Sequence, residues 1–514
     1  MHTPTPKPGL FQKGLFGLLA AKTLLHLTAI LNGYGLHRDE YLYLAEGHHP
    51  LWGYMEGPPV IGWVAGISQL IFGGTIWAAK IPVLIIGLLS LWLLCEMVRE
   101  LGGGKHAQLI AGAGWLLSPV YLGSNALFQP VSFNQFCWLL TGLALVRLIN
   151  YQRPKDWYIL GGVAGLGLMT KYSIVFYLFS LLAGLLLTEQ RSLLRSKHLW
   201  RSVGIALVMW LPNLWWQFNH GFPVMAHMQE LSETQLVNMS AMDFLVPQFL
   251  FHALGVLIWL PGLVYLIRSK QLRPYRSLAF AYIILIALLL LLNGKAYYTF
   301  GAYTSLFAAG GCYWAQRLGE KSWWVVLPLA ANFILIPFGL PVLPVDKMQQ
   351  YSIFTRDNLG MTAGLRWEDG TVRDLSQDYA DMHGWEEMVA KVAEFYHQLP
   401  PEEQATCMIE GGNYGHAGAL SFFRHKYDLP EAVSFDASFL LWVPEQVEFD
   451  RQIILDDSPQ GPSDYFSVVS LIDSTHTPYA RETGFIYYRK QPKTDVSQAW
   501  TDIVRARRAA QLGE

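Results

Sequence analysis

Long uncharged apolar runs recur through the first two thirds of this chain, and they leave it few ways to fold. Residues 81–94, 283–292 and 324–343 contain no Asp, Glu, Lys or Arg. Runs of this kind exceed what a soluble core of ordinary size can bury. In lipid, only a helix or a closed barrel satisfies its own backbone, so they read as membrane-spanning helices. The averages conceal this: the 514 residues are 52% hydrophobic and 15% charged, but the charges crowd behind residue 344.

Eleven spans are predicted, at about 11–32, 76–98, 107–125, 133–149, 157–170, 172–188, 201–217, 247–267, 277–293, 297–315 and 323–343. A single long helix over 157–188 is the competing count, and it would invert everything downstream. The distribution of Lys and Arg decides against it. With Lys7 and Lys13 in the cytoplasm, the inner loops receive Arg99, Lys105, Arg147, Arg153, Lys155, Arg191, Arg195, Lys197 and Arg201, then Arg268, Lys270, Arg273, Arg276, Arg317 and Lys321. The outer loops keep Arg38, Lys171 and Lys295, with Lys80 near an interface. The N-terminal apolar run carries Lys22 and lacks a cleavage site, so it reads as a retained helix.

An odd count places residues 344–514 outside the membrane as a small α/β domain. A helix is predicted at 385–399 and strands at 407–410, 439–443, 452–455, 467–471 and 484–488. The expected architecture is therefore a polytopic α-helical membrane domain, residues 1–343, followed by an extracytoplasmic α/β domain, residues 344–514. The first outer loop, 33–75, is long and rich in aromatics, Gly and Pro. Within it, 60–72 is apolar but too short to span, and is expected to lie along the interface. A net charge of −2 without a basic tract excludes nucleic acid as a partner class. The four cysteines fit no disulfide or zinc spacing.

The outer helix ends collect Asp39, Glu40, Lys171, His220 and Lys295. Charges near lipid are expensive and are normally paired or face a watery cavity. Asp39 or Glu40 could serve as a general base; each could equally be an interfacial acid paired with Arg38. Lys295, in Lys295-Ala296-Tyr297-Tyr298, could hold a phosphate with tyrosine hydroxyls beside it, or snorkel. Lys171 carries the same ambiguity. His220, in Asn219-His220-Gly221, could order a substrate but fits a turn as well. Gly411-Gly412-Asn413-Tyr414-Gly415 lies between a strand and a helix, where a tight turn is favoured over an anion site. Asp374, Asp378 and Asp381 read as a solvated surface.

Together these features resemble a known family. The acid pair after the first span, Tyr41-Leu42-Tyr43-Leu44-Ala45, Trp52-Gly53-Tyr54 and Pro58-Pro59 resemble the first outer loop of bacterial membrane glycosyltransferases of the dolichyl-phosphate-mannose–protein mannosyltransferase-like superfamily, type C fold, lipopolysaccharide-modifying branch. The likeness continues through 165–172, Asn219-His220-Gly221, Lys295-Ala296-Tyr297-Tyr298, 377–382 and Gly412-Asn413-Tyr414-Gly415. It implies an inverting transferase that takes a sugar from a polyprenyl-phosphate donor to a lipid, glycan or protein acceptor on the outer face of the plasma membrane. By the same resemblance Asp39 is the catalytic base and Glu40 its neighbour in acceptor or metal binding. Lys295 grips the leaving phosphate, with Tyr297, Tyr298, Lys171, His220, Arg38 and Asn134 as further substrate-binding candidates.

One departure stands out. Many relatives carry a second acid in the outer loop between the third and fourth spans, whereas residues 127–135 hold no carboxylate, and Val131 and Asn134 occupy the expected positions. Asn134 and Gln129 could supply neutral hydrogen bonds, Glu40 could take the role, or catalysis could be lost. No cofactor is implied with certainty; a divalent metal is allowed, and no ligand is named for it. Two other readings stay open, a transporter or flippase and a non-catalytic glycan-binding scaffold. The clustering of polar groups at one interface, without an internal repeat, weighs against transport.

Overall fold

The computed structural model describes residues 9–234, 240–459, 464–475 and 477–513; Lys7, used above to orient the N-terminus, lies outside them. By the density of its internal contacts the chain divides into two units. One comprises residues 1–29, 83–214 and 228–342, the other 30–82, 215–227 and 343–514.

The first unit is helical, and the predicted spans that it holds fall mostly on helical backbone. Five helical stretches of the described chain, Gln12–Leu31, Ile76–Glu100, Pro130–Tyr151, Arg273–Leu291 and Ala296–Gly339, are long and apolar enough to cross a membrane, or seven if two sharply bent pairs each count as one. The others are shorter or interrupted, mostly at sites the sequence marks. Residues 157–188 form two helices, Pro154–Leu168 and Ile174–Leu186, with the break around Lys171. The predicted span 107–125 is interrupted before Pro119, because proline disfavours helical backbone in the residue before it. The 247–267 segment bends by 85° between Ala241–Leu250 and Ala253–Arg268.

Breaks inside an apolar domain expose carbonyls that lipid cannot solvate. Asn332 answers two of them. Its Nδ2 donates to the carbonyls of Leu117 (3.1 Å) and His252 (3.3 Å), and its Oδ1 accepts from the Leu254 amide (3.1 Å). The helix ends assigned to one side also meet one another. Glu96 and Glu100 pair with Arg99 and Arg147, Glu100 also accepts from Asn150 and Tyr151, and Tyr275 donates to Asn150. Arg273 pairs with Glu189, and Tyr158 bonds His198.

The second unit contains a four-stranded sheet of β1 (Cys407–Gly411), β2 (Arg451–Asp456), β3 (Phe466–Ser474) and β4 (Phe485–Pro492) in the order β1-β2-β4-β3. The β1–β2 pairing is parallel and the others antiparallel. The helix Trp385–Gln398 buries Trp385, Met388, Val389 and Val392. Four predicted strands and the helix are present. The fifth strand, 439–443, is instead part of a 3₁₀ turn, Ala437–Leu441. A short continuous apolar run lacks the alternation that separates a strand from a buried turn.

The first outer loop belongs to this second unit. Met55 joins a buried cluster with Met408, Leu440, Phe449 and Trp500, while Leu42 and Ala45 pack on Ala417 and Phe439. Gly418 admits the Tyr41 backbone so closely that a Cβ there would lie 2.9 Å from the Tyr41 carbonyl carbon. The helix Val60–Phe72 leaves Ile67, Leu70 and Ile71 61%, 88% and 69% exposed, an apolar face turned outward.

Burial also sets a pH dependence in this unit. Glu410 on β1 is pushed up to about 7, chiefly by burial, with Arg489 opposing. A raised carboxyl favours the fold while protonated: its contribution is full below the unfolded value near 4.5 and is lost as pH rises through 7. Between pH 5 and 8 the wild-type chain should lose on the order of 1–2 kcal/mol from this group. The difference in melting temperature between Glu410→Gln and wild type should therefore grow in the variant's favour across that range.

Candidate functional site

Helix Arg38–His48 opens with both candidate acids in its first turn, where a negative charge favours the helix dipole. His37 is the N-cap. Its Nδ1 accepts from the Asp39 amide (3.2 Å), and its own amide donates to Glu40 Oε2 (2.8 Å), a reciprocal cap that fixes the turn. The two acids then have different fates. Glu40 is fully buried, with Lys80 Nζ 2.7 Å from each of its oxygens. Asp39 is 30% exposed and accepts a hydrogen bond from the Tyr414 hydroxyl (2.8 Å). Of the two, Asp39 is the carboxylate that solvent or a substrate reaches.

The Glu40–Lys80 pair has a mechanical consequence. Removing one partner of a buried pair strands a charge, at a cost of about 3–5 kcal/mol, whereas removing both is far milder. Lys80→Met should lower the unfolding free energy by about 3 kcal/mol, and Lys80→Met with Glu40→Gln should recover most of it. A double-mutant cycle on chemical denaturation measures this.

Around Asp39 the tail supplies partners that sequence reading does not connect to it. Tyr414 follows the N-cap Asn413 of helix Tyr414–Phe423, and Gly412 and Asn413 form the tight turn that joins this helix to the end of β1. Arg38 stacks its guanidinium on the Tyr414 ring (4.5 Å) and pairs with Glu482 Oε1 (3.0 Å). Asp381, read as surface, is buried between His37 Nε2 (3.5 Å) and Arg481 (2.9 Å). Its carboxyl is held below the ordinary range: burial opposes ionisation, and the bonds to His37 and Arg481 prevail. Asp374 pairs with Arg356, and Asp378 is exposed. Next to Glu482, His416 is fully buried, and burial pushes its imidazole down to about 4.

In the helical unit, Lys171 and Lys295 converge. The Lys171 ammonium lies 5.3 Å from the Tyr297 ring centre and 5.7 Å from that of Tyr298, and Lys295 lies 6.0 Å from Tyr297. Both sit at breaks: Lys171 between two helices, Lys295 capping the 3₁₀ turn Ala296–Ala302. Asn134 is buried behind the first break, where its Nδ2 donates to Ser173 (3.1 Å) and its Oδ1 accepts from Trp138 Nε1 (3.0 Å). It braces the turn that carries Lys171. His220 stacks on Trp216 at 4.2 Å, with Nδ1 2.8 Å from the Trp216 carbonyl, and closes a helix end. These contacts give Asn134 and His220 structural work.

Residues 56–216 match the family model described as dolichyl-phosphate-mannose-protein mannosyltransferase. Over 207 residues the chain is 25% identical to the lipid A galacturonosyltransferase RgtD of Rhizobium johnstonii, covering 38% of this chain and 42% of that protein. It is also 31% identical over 111 residues to YycA of Bacillus subtilis, which covers 18% of this chain and 16% of that one. The matches thus span less than half the length of these curated relatives. The fold likeness is wider. ArnT from Cupriavidus metallidurans bound to undecaprenyl phosphate superposes with a TM-score of 0.64 at 15% identity, over 92% of this chain and 97% of ArnT. Its apo form gives 0.62 over 93% and 98%. The resemblance carried by the first loop is borne out: this is a multi-pass membrane protein with the type C glycosyltransferase fold shared by ArnT.

Proposed function

We propose that the chain is an inverting glycosyltransferase that moves a sugar from a polyprenyl phosphate to an acceptor outside the plasma membrane. The observation that carries this reading is the unequal treatment of two adjacent acids, one sealed by Lys80 and the other left accessible on a capped helix turn. Asp39 takes the proton of an acceptor hydroxyl as its oxygen attacks the anomeric carbon; the bond to the phosphate oxygen breaks, and the polyprenyl phosphate leaves with that electron pair. Lys171 and Lys295 with their tyrosines meet the phosphate, whose charge they hold as it departs. Glu40 acts through Lys80 as a positioning residue, and Arg38 through Tyr414.

ArnT, solved with undecaprenyl phosphate bound, supports the donor class, and RgtD, a lipid A galacturonosyltransferase, supports sugar transfer to an acceptor. The N-terminus is assigned to the cytoplasm and the tail to the outside. That orientation is supported by the distribution of basic residues and by the mutual contacts of the helix ends given to the inner side. Lipid, glycan and protein acceptors all suit the chemistry. The test is a panel of polyprenyl-phosphate sugars offered to the purified protein without acceptor. Slow release of free sugar from one donor is expected; failure to bind or cleave any would leave transport or scaffolding as the better account.

A further inference from the structure

We infer a divalent transition-metal site, of the kind zinc occupies, formed by His416, Asp457 and Glu482 in the second unit. It stands independently of the transferase reading. The imidazole Nε2 of His416 lies 3.4 Å from Asp457 Oδ1 and 3.5 Å from Glu482 Oε2, and the three ligand atoms fall within 4.8 Å of one another. Four-coordinate zinc with bonds of about 2.0–2.1 Å separates its ligand atoms by about 3.3 Å. The two histidine spacings are therefore those of a tetrahedral edge, and are long for direct hydrogen bonds.

The second observation is the histidine itself. His416 is fully buried, and its Nε2 has no hydrogen-bond partner at good geometry. A ring nitrogen sealed from water and left unsatisfied is costly. A ring nitrogen that faces two carboxylate oxygens at 3.4 and 3.5 Å is accounted for by a cation among them. The supporting residues are already in place. Asn413 Nδ2 donates to Asp457 Oδ2 (2.8 Å) and to Glu482 Oε2 (3.2 Å), and its Oδ1 caps the helix by accepting from the His416 amide (2.9 Å). Arg38 holds the other oxygen of Glu482. Such outer contacts aim metal ligands.

Three protein ligands, one of them nitrogen, suit zinc better than calcium, which needs six to eight oxygens, or magnesium, which keeps octahedral oxygen geometry. Asp457 is 54% exposed, which gives an ion a path in and leaves the fourth position to water. Because Glu482 also holds Arg38, and Arg38 packs on the tyrosine that bonds Asp39, the ion would steady the turn carrying that acid.

The test is zinc binding by the full-length, untagged protein in detergent after chelation, followed by equilibrium dialysis and by the visible spectrum of the cobalt-substituted form. Wild type should bind one equivalent more than His416→Ala, and cobalt should show the intense band of a four-coordinate site. Asp457→Ala, at an exposed position that should not disturb folding, should weaken that equivalent at least tenfold. Excess calcium or magnesium should not displace it. Equal zinc uptake by wild type and Asp457→Ala, or ready displacement by calcium, would reduce the cluster to an ion-pair network and overturn the assignment.

Discussion

Asp39→Asn should cut turnover of the lipid-linked donor by roughly 10²–10⁴-fold, the range a general base supplies, while donor affinity changes by no more than about threefold. The substitution keeps the shape, and the amide oxygen can still accept from Tyr414, so helix Arg38–His48 retains its cap and its packing. Only the capacity to take a proton is lost. A fall in kcat with unchanged binding would mark an interaction made in the transition state. A mutant that turned over normally would remove Asp39 from the chemistry.

The second large effect should come from the paired lysines. Replacing either Lys171 or Lys295 by Met removes a charge-assisted contact with phosphate, worth about 1.5–3 kcal/mol, or roughly 10–100-fold in donor affinity. The double substitution should abolish measurable binding. Both ammonium groups address the ring of Tyr297, so their effects should couple rather than add. Binding of the donor should also weaken as salt is raised, and less steeply in the single mutants. Unchanged affinity in the double mutant would show that this pair serves the fold alone.

What the sequence reveals and what it hides follow from separation along the chain. Apolar runs announce helices because lipid demands them. The breaks at Lys171 and Lys295 show as polar interruptions. The partners of Asp39 carry no such signal. Tyr414 lies 375 residues from Asp39, and Lys80 lies 40 from Glu40. Neither spacing has a periodicity that pairs them. Asp381 resembles any surface acid until His37 and Arg481 are brought against it. The exchange of a strand for a turn at Phe439 goes with its packing beside Leu42 and Ala45 of the first loop, a contact invisible locally. Asn134, a candidate for binding substrate, carries no sequence signal of what it braces. Its contacts to Ser173 and Trp138 are a matter of tertiary placement.

The union of residues 30–82, 215–227 and 343–514 in one compact unit also bears on biosynthesis. A body cannot have its parts on opposite sides of a bilayer, so the chain must cross an even number of times between each of these segments. That parity holds whatever the total count of spans. The first loop is made early in synthesis, yet the side chains that cover Leu42 and Met55, and the hydroxyl that meets Asp39, are made late. The turn bearing Asp39 therefore stays incomplete until translation is nearly done. A ribosome that stalls before β4 would leave behind an inserted but unfinished protein, and the order of synthesis itself withholds the assembled site from truncated chains.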